Sequence, residues 1–159
     1  MELKNSYSAR EVAALTGLTA RQLQWWDARR LFAPAVRPKR TAAGGFTERR
    51  YSPVDLLELM VLADLRRHGM SVARLRRLLE NLRDRFKVRL FDVIGGAGPL
   101  TLMTDGRDVY LRTATGEIYN VLRAPSQPLL VVGNDPPLRA LTARLRSTRR
   151  RKARANAPR

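Results

Sequence analysis

The stretch "TARQLQWWDARR", Thr19 to Arg30, places two adjacent tryptophans among arginines and glutamines. Thr19 can cap a helix, and Gln22 stands at the reciprocal position of a capping box. Neighbouring residues of a helix point about 100° apart, so a single apolar stripe does not easily hold both Trp25 and Trp26. The pattern predicts a helix on which at least one tryptophan faces something other than the core.

A shorter helix is predicted just before it. In "SARE", Ser8 and Glu11 form a second capping-box pattern, Val12 and Leu15 follow at helical spacing, and Gly17 ends the helix. Two short helices thus meet at a glycine turn. This spacing is typical of a helix-turn-helix, in which the second helix can enter the major groove of DNA.

The segment "FAPAVRPKRTAAGGFTERRY", Phe32 to Tyr51, contains Pro34, Pro38 and the pair Gly44-Gly45, which break a helix. It predicts a basic hairpin or loop.

Two longer helices are predicted after the hairpin. One begins at Ser52, with Pro53 at the favoured first position, and stops at Gly69. The next begins at Ser71, and its apolar spacing predicts that it continues to Ile94.

The run "GGAGP", Gly95 to Pro99, marks a boundary, after which the period becomes strand-like. The runs "LTLM", "DVYLRT", "EIYNVL" and "PLLVV" predict an antiparallel meander, because turn residues separate the first three. A sheet this small is not stable alone, so it should pack on the preceding helix or on a partner chain.

Charge gives the strongest indication of a partner. The chain has 31 Lys+Arg against 14 Asp+Glu, a net charge of +17. From Pro136 to the end it contains no acid, and we expect "RSTRRRKARANAPR" to be a disordered tail that attracts phosphates. The balance indicates a polyanion, either nucleic acid or an anionic membrane surface.

The sequence gives no support for a metal-binding protein, a membrane protein or an enzyme. The chain has no cysteine and one histidine, His68, so neither a disulfide framework nor a zinc site is expected. No long apolar run or signal core is present, and we expect a cytoplasmic, nucleoid-associated protein without membrane contact. "GGAG" lacks the lysine and hydroxyl of a P-loop, and no nucleophile is paired with a base. We therefore expect no enzyme activity, metal or cofactor.

From Tyr7 to Leu82 the order of elements resembles the winged-helix DNA-binding domain of MerR-type transcription regulators. The matching stretches are "YSAREVAALTGLTARQLQWWD", "LFAP", "RRY" and "YSPVDLLELMVLADLRRHGMSVARLRRLL". In that family the second helix carries leucine, arginine, two tyrosines and an acid, where this chain has Leu23, Gln24, Trp25, Trp26 and Asp27. The resemblance implies the same docking mode. It does not carry over the sequence preference, because the arginine and both tyrosines are replaced.

The resemblance also implies that the first aromatic faces DNA and that the second packs between helix and wing. Trp25 is then expected outside and Trp26 inside, and helical spacing agrees because Trp26 lies three residues after Leu23. The alternative buries both tryptophans beneath the wing. Arg49, two residues before Tyr51, matches a family arginine and is expected to clamp the DNA backbone. The predicted DNA-binding residues are Arg10, Thr19, Arg21, Gln22, Gln24, Trp25, Arg37, Lys39, Arg40, Arg49, Arg50 and Tyr51.

These patterns predict an α+β chain with a mostly α N-terminal winged helix-turn-helix, a small antiparallel β unit and a basic disordered tail. The predicted boundaries are 1–82 for the DNA-binding domain, 83–98 for a helical linker and glycine hinge, 99–135 for a β meander, and 136–159 for the tail. The β unit is expected to serve in dimerisation or partner binding.

The first functional hypothesis is a bacterial, sequence-specific regulator that binds double-stranded DNA as a homodimer on an inverted repeat. The second is an antitoxin-like or adaptor protein whose β unit binds a partner protein and whose DNA binding is autoregulatory. A third is an architectural protein that relies on its tail and on DNA shape.

Overall fold

The computed structural model describes residues 3–40, 42, 44, 47–96, 98–130, 132 and 135–155. It divides into two compact units, Met1–Pro128 and Leu129–Arg159. The first unit contains helices and antiparallel sheets, so the predicted α+β class is confirmed. Each unit is described by itself.

The N-terminal elements are strand β1 (Tyr7–Ser8), helix α1 (Ala9–Thr16) and helix α2 (Ala20–Ala28). Both predicted capping boxes are present, one between Ser8 and Glu11 and the other between Thr19 and Gln22. Gly17 closes α1 with a φ of 74°, a left-handed conformation that glycine adopts without steric cost. The predicted helix-turn-helix is therefore confirmed.

The predicted hairpin consists of strands β2 (Val36–Arg40) and β3 (Thr47–Tyr51). They pair antiparallel, and β1 pairs with the other edge of β3 in the order β1-β3-β2. The register of β2 shifts between Val36 and Lys39, beside Pro38, which has no N–H for the ladder. Gly45 of the predicted turn lies outside the described residues.

Helices α3 (Pro53–Arg67) and α4 (Val72–Asp84) follow. The Ser52 side chain accepts from the Asp55 N–H, and Pro53 stands in the first turn, as predicted. At the end of α3, Nδ1 of His68 lies 2.8 Å from the carbonyl oxygen of Asp64. This is the ordinary helix-end role for histidine.

Two predictions for residues 83–98 are wrong. Helix α4 ends at Asp84 instead of continuing to Ile94, and a 3-10 helix (Leu90–Val93) replaces the helical linker. The backbone reverses at Lys87, whose φ is 57°. Glu58 of α3 then accepts hydrogen bonds from the Arg89 guanidinium and the Phe91 N–H, which hold the 3-10 helix on α3.

The β unit is a four-stranded sheet in the order β4 (Thr101–Thr104), β5 (Val109–Arg112), β6 (Ile118–Asn120) and β7 (Ala124–Leu129). The last strand begins earlier than the predicted "PLLVV" and contains two prolines, which suit a sheet edge. The Asn81 side chain of α4 donates to the Val121 carbonyl at 2.6 Å. The sheet therefore packs on the preceding helix, one of the two predicted arrangements.

One hydrophobic cluster connects these parts. It includes Leu23 and Trp26 of α2, Leu78 of α4, and Leu111 and Val121 of the β unit. The residues of the predicted meander thus share a core with the winged helix.

For residues 136–155 the prediction of a disordered tail is also wrong, because Pro136–Ala155 form helix α5. Alanine, leucine and arginine are good helix formers, and proline is tolerated in a first turn. Its leucines are exposed by about half: Leu138 47%, Leu141 53% and Leu145 59%. The last four residues of the predicted tail, 156–159, lie outside the described residues.

Candidate DNA-binding surface

Helix α2 separates its apolar and polar residues into two faces. Leu23 and Trp26 are each only 2% exposed, whereas Trp25 is 43% exposed. Arg21 and Gln24 are also exposed. The predicted separation of the two tryptophans is therefore present, and the alternative that buries both is excluded by the exposure of Trp25.

The side-chain oxygens of Thr19 and Gln22 accept hydrogen bonds at the N-terminus of α2. The Thr19 hydroxyl accepts from the Gln22 N–H at 3.0 Å, and Oε1 of Gln22 accepts from the Thr19 N–H at 2.8 Å. Both residues are exposed. Their first role is to fix where the helix begins.

The C-terminal end of α2 holds two arginine contacts that the sequence did not indicate. The Arg29 guanidinium lies 5.4 Å from the centroid of the Trp25 ring, a cation–π contact that restrains the exposed tryptophan. Arg76 of α4 donates to the Arg29 carbonyl at 3.0 Å and so satisfies an orphan acceptor of the helix end. Helix α2 is therefore anchored at both ends.

The hairpin is joined to α2 by an ion pair. Nε of Arg49 donates to Oδ2 of Asp27 at 2.6 Å, and both side chains are about one-third exposed. Arg50 instead contacts Ser6 and Glu48, with its shortest hydrogen bond 2.8 Å to the Ser6 hydroxyl. Each arginine therefore has an intramolecular partner while part of its side chain stays accessible.

Tyr51 does not lie on this surface. It is 1% exposed and pairs across the small sheet with Tyr7, so its predicted place among the DNA-contacting residues is wrong. Burial raises the pKa of its hydroxyl above the ordinary value, and the nearby Arg49 charge opposes that shift in part. Tyr51 therefore belongs to the hydrophobic core beneath the hairpin, where it pairs with β1.

For the remaining predicted residues the structure gives only their position in an element and, for two of them, their exposure. Arg10 is exposed on α1, and Arg40 is exposed at the end of β2. Arg37 and Lys39 are described by their backbone in β2, and their side chains lie outside the described part.

The described residues contain neither a metal-binding cluster nor a membrane-spanning helix. Within them, no group of three or more His, Cys, Asp or Glu residues could hold a metal ion. No helix in that part of the chain is both long and apolar enough to cross a membrane.

Together, the α1-turn-α2 pair, the basic hairpin and the packing of α3 and α4 define a winged helix-turn-helix. Residues 7–82 match the family described as MerR HTH family regulatory protein. These residues therefore belong to the MerR family of helix-turn-helix domains, as the resemblance implied.

The chain is also similar to three relatives described as uncharacterized HTH-type transcriptional regulators, one from Mycobacterium bovis and two from strains of Mycobacterium tuberculosis. Identity is 31% over 117 residues, which is 74% of this chain and 48% of the relative. The chain thus spans about half the length of the curated relatives it matches. Because the aligned length exceeds that of segment 7–82, the similarity extends past Leu82 toward the β unit.

Proposed function

We propose that the protein is a sequence-specific transcription regulator that binds double-stranded DNA through α2 and the β2–β3 hairpin. One observation carries this proposal: the exposed face of α2 presents Arg21, Gln24 and Trp25 while Leu23 and Trp26 anchor the opposite face. Arginine and glutamine side chains donate hydrogen bonds to purine edges in the major groove. The hairpin arginines then contact the flanking phosphates, which position the helix.

The charge of the whole chain supports a DNA partner. A net charge of +17 favours association with a phosphate backbone, and the family match and the printed descriptions of the relatives agree with regulation of transcription. The proposal places the protein at the nucleoid and gives it a binding role without a catalytic step.

We further propose that two copies bind an inverted repeat. One α2 helix reaches few base pairs, and a symmetric pair of helices doubles the length of DNA that is read. The two half-sites would then lie about one helical turn, or a multiple of it, apart.

Selection of bound fragments from genomic DNA tests specificity and symmetry together. The full chain is expected to enrich a motif with two inverted halves, while Arg21→Ala/Gln24→Ala is expected to lose that motif and keep salt-sensitive binding to any DNA. Equal enrichment by wild type and variant, or the absence of an enriched motif, would reject readout by α2. A motif without symmetry would reject the dimer alone.

A separate observation favours a second candidate function, the binding of a partner protein as in an antitoxin or adaptor. Leu57 and Met60 of α3 and Met103 of β4 are 43%, 41% and 36% exposed around an apolar cavity of about 490 Å³. Exposed apolar groups that cluster in this way are typical of interaction sites. If this is the main function, Leu57→Ser/Met103→Ser abolishes regulation in vivo while the selected DNA motif stays unchanged.

A further inference from the structure

A second basic cluster contains none of the predicted DNA-binding residues. It lines a cleft of about 520 Å³ between α4 and two turns of the β unit. Arg74 and Arg77 come from α4, Arg107 precedes β5, and Arg123 precedes β7. These four arginines share the cleft with one carboxylate, that of Asp108.

Asp108 is already engaged by two of the four arginines. Its Oδ1 accepts from Nε of Arg123 at 2.8 Å and lies 3.7 Å from the Arg74 guanidinium, and its side chain is 12% exposed. Arg77 and Arg107 form no ion pair with a carboxylate in the described part of the chain. The cleft therefore has a surplus of about three positive charges facing solvent.

Hydrogen bonds fix the walls of the cleft before any ligand arrives. The Asp108 N–H donates to Oδ1 of Asp105 at 2.7 Å, and the Arg123 N–H donates to Oδ1 of Asn120 at 3.1 Å. The turn that carries Arg123 is held to α4 by the bond from Asn81 to the Val121 carbonyl. A site with fixed walls loses less entropy when it binds a ligand.

We propose that this cleft binds a phosphate group, with Arg77 and Arg107 as its main contacts. The planar guanidinium fork matches two phosphate oxygens, and the negative charge of a phosphate offsets the mutual repulsion of the four arginines that Asp108 leaves uncompensated. Arg74 and Arg123, held by Asp108, flank the bound group. The phosphate comes either from a DNA backbone or from a free phosphate ester. The site does not require α2 or the hairpin to contact DNA.

Titration calorimetry of the full chain with inorganic pyrophosphate at constant ionic strength tests the site. Arg77→Gln/Arg107→Gln is expected to weaken binding by about tenfold or more, because charged hydrogen bonds are lost. The matched control is Arg83→Gln/Arg85→Gln, which removes the same charge from two exposed positions outside the cleft, one in the last turn of α4 and one directly after it. It is expected to bind pyrophosphate like wild type. Equal weakening in both double variants, or no saturable binding to wild type, would overturn the proposal.

A second titration distinguishes the two sources of the phosphate. If DNA supplies it, prior binding of duplex DNA blocks pyrophosphate, and the cleft variant loses more DNA affinity than the control. If a free phosphate ester supplies it, pyrophosphate still binds to the DNA complex, and both double variants bind DNA alike. Arg107→Gln alone, on an exposed turn, provides the same test if the double variant melts early.

Discussion

Nε of Arg49 lies 2.6 Å from Oδ2 of Asp27, so strand β3 of the hairpin is tied to α2 directly after its two tryptophans. The pair adds a direct polar contact between α2 and the hairpin to their shared apolar packing. In a winged helix the angle between the recognition helix and the hairpin decides whether base-reading and phosphate-binding groups reach one duplex together. Arg49, expected from the sequence to clamp DNA, therefore also joins the hairpin to α2.

Replacing Arg49 with alanine is expected to weaken binding to all DNA sequences and to lower stability by about 0.5–1 kcal/mol, as for a partly exposed ion pair. Asp27→Asn breaks the same pair but keeps the cation, so it should cost similar stability and less DNA affinity. Chemical denaturation and fluorescence anisotropy measure the two quantities. Unchanged affinity for Arg49→Ala would count against the winged-helix docking mode.

Ending the chain at Leu141 removes eight basic residues, including most of the cationic part of α5. Binding to every DNA sequence is expected to weaken by a similar factor, while the preference for the selected site remains. Each lost phosphate contact lowers the slope of log affinity against log salt by about 0.9. Anisotropy titrations at several salt concentrations measure this slope. A full-length chain with Arg149, Arg150 and Arg151 changed to glutamine separates charge from length. An unchanged slope in both proteins would show that the tail has no phosphate contacts.

Glu11 makes the first turn of α1 sensitive to acid. The Lys4 ammonium and the Ser8 N–H lower the pKa of Glu11 from 4.5 to about 2. Because the folded-state pKa lies below the unfolded one, this stabilisation is present above pH 4.5 and is lost as the pH falls toward 2. The difference in Tm between wild type and Glu11→Gln should therefore be largest near neutral pH and vanish near pH 2. Glu80→Gln, at an exposed site of α4, is the control. A difference independent of pH would contradict this role.

Local features of this fold could be predicted from the sequence, and distant pairings could not. The capping boxes at Ser8 and Thr19 depend on residues three apart, and the unlike burial of the tryptophans follows from helical spacing. Tyr51 was misplaced because its burial depends on pairing with a strand of two residues, β1, which has no sequence period.

The same limit applies to longer pairings. Apolar spacing in α4 continues past Asp84, yet Leu90 enters the core from a 3-10 helix that Glu58 holds through Arg89. The Asp108–Arg123 pair joins two turns of the β unit, and no local pattern marks it. Such contacts depend on how the chain returns on itself, so the arginine cleft could be seen only in the structure.

Gln24 stands exposed where MerR-type domains usually carry arginine, so it is expected to set base preference. Gln24→Ala should change the selected motif more than the overall affinity, because a side chain that reaches base edges carries sequence information. Gln24→Arg should shift the preference toward guanine, which arginine contacts with two hydrogen bonds. Repeating the fragment selection with both variants measures the change. An unaltered motif in both would remove Gln24 from the readout.

The two tryptophans are expected to separate stability from DNA binding. Trp26 is 2% exposed, and Trp26→Ala should cost about 3–5 kcal/mol, as for a large aromatic deleted from a core. Trp25 is 43% exposed beneath the Arg29 guanidinium, so Trp25→Ala should leave the Tm nearly unchanged yet reduce DNA affinity. Thermal melting and titration of the selected site measure both variants, and Trp25→Phe, which keeps a ring under Arg29, should recover part of the affinity. Equal destabilisation by both alanine variants, with DNA binding lost only through unfolding, would refute recognition by this face of α2.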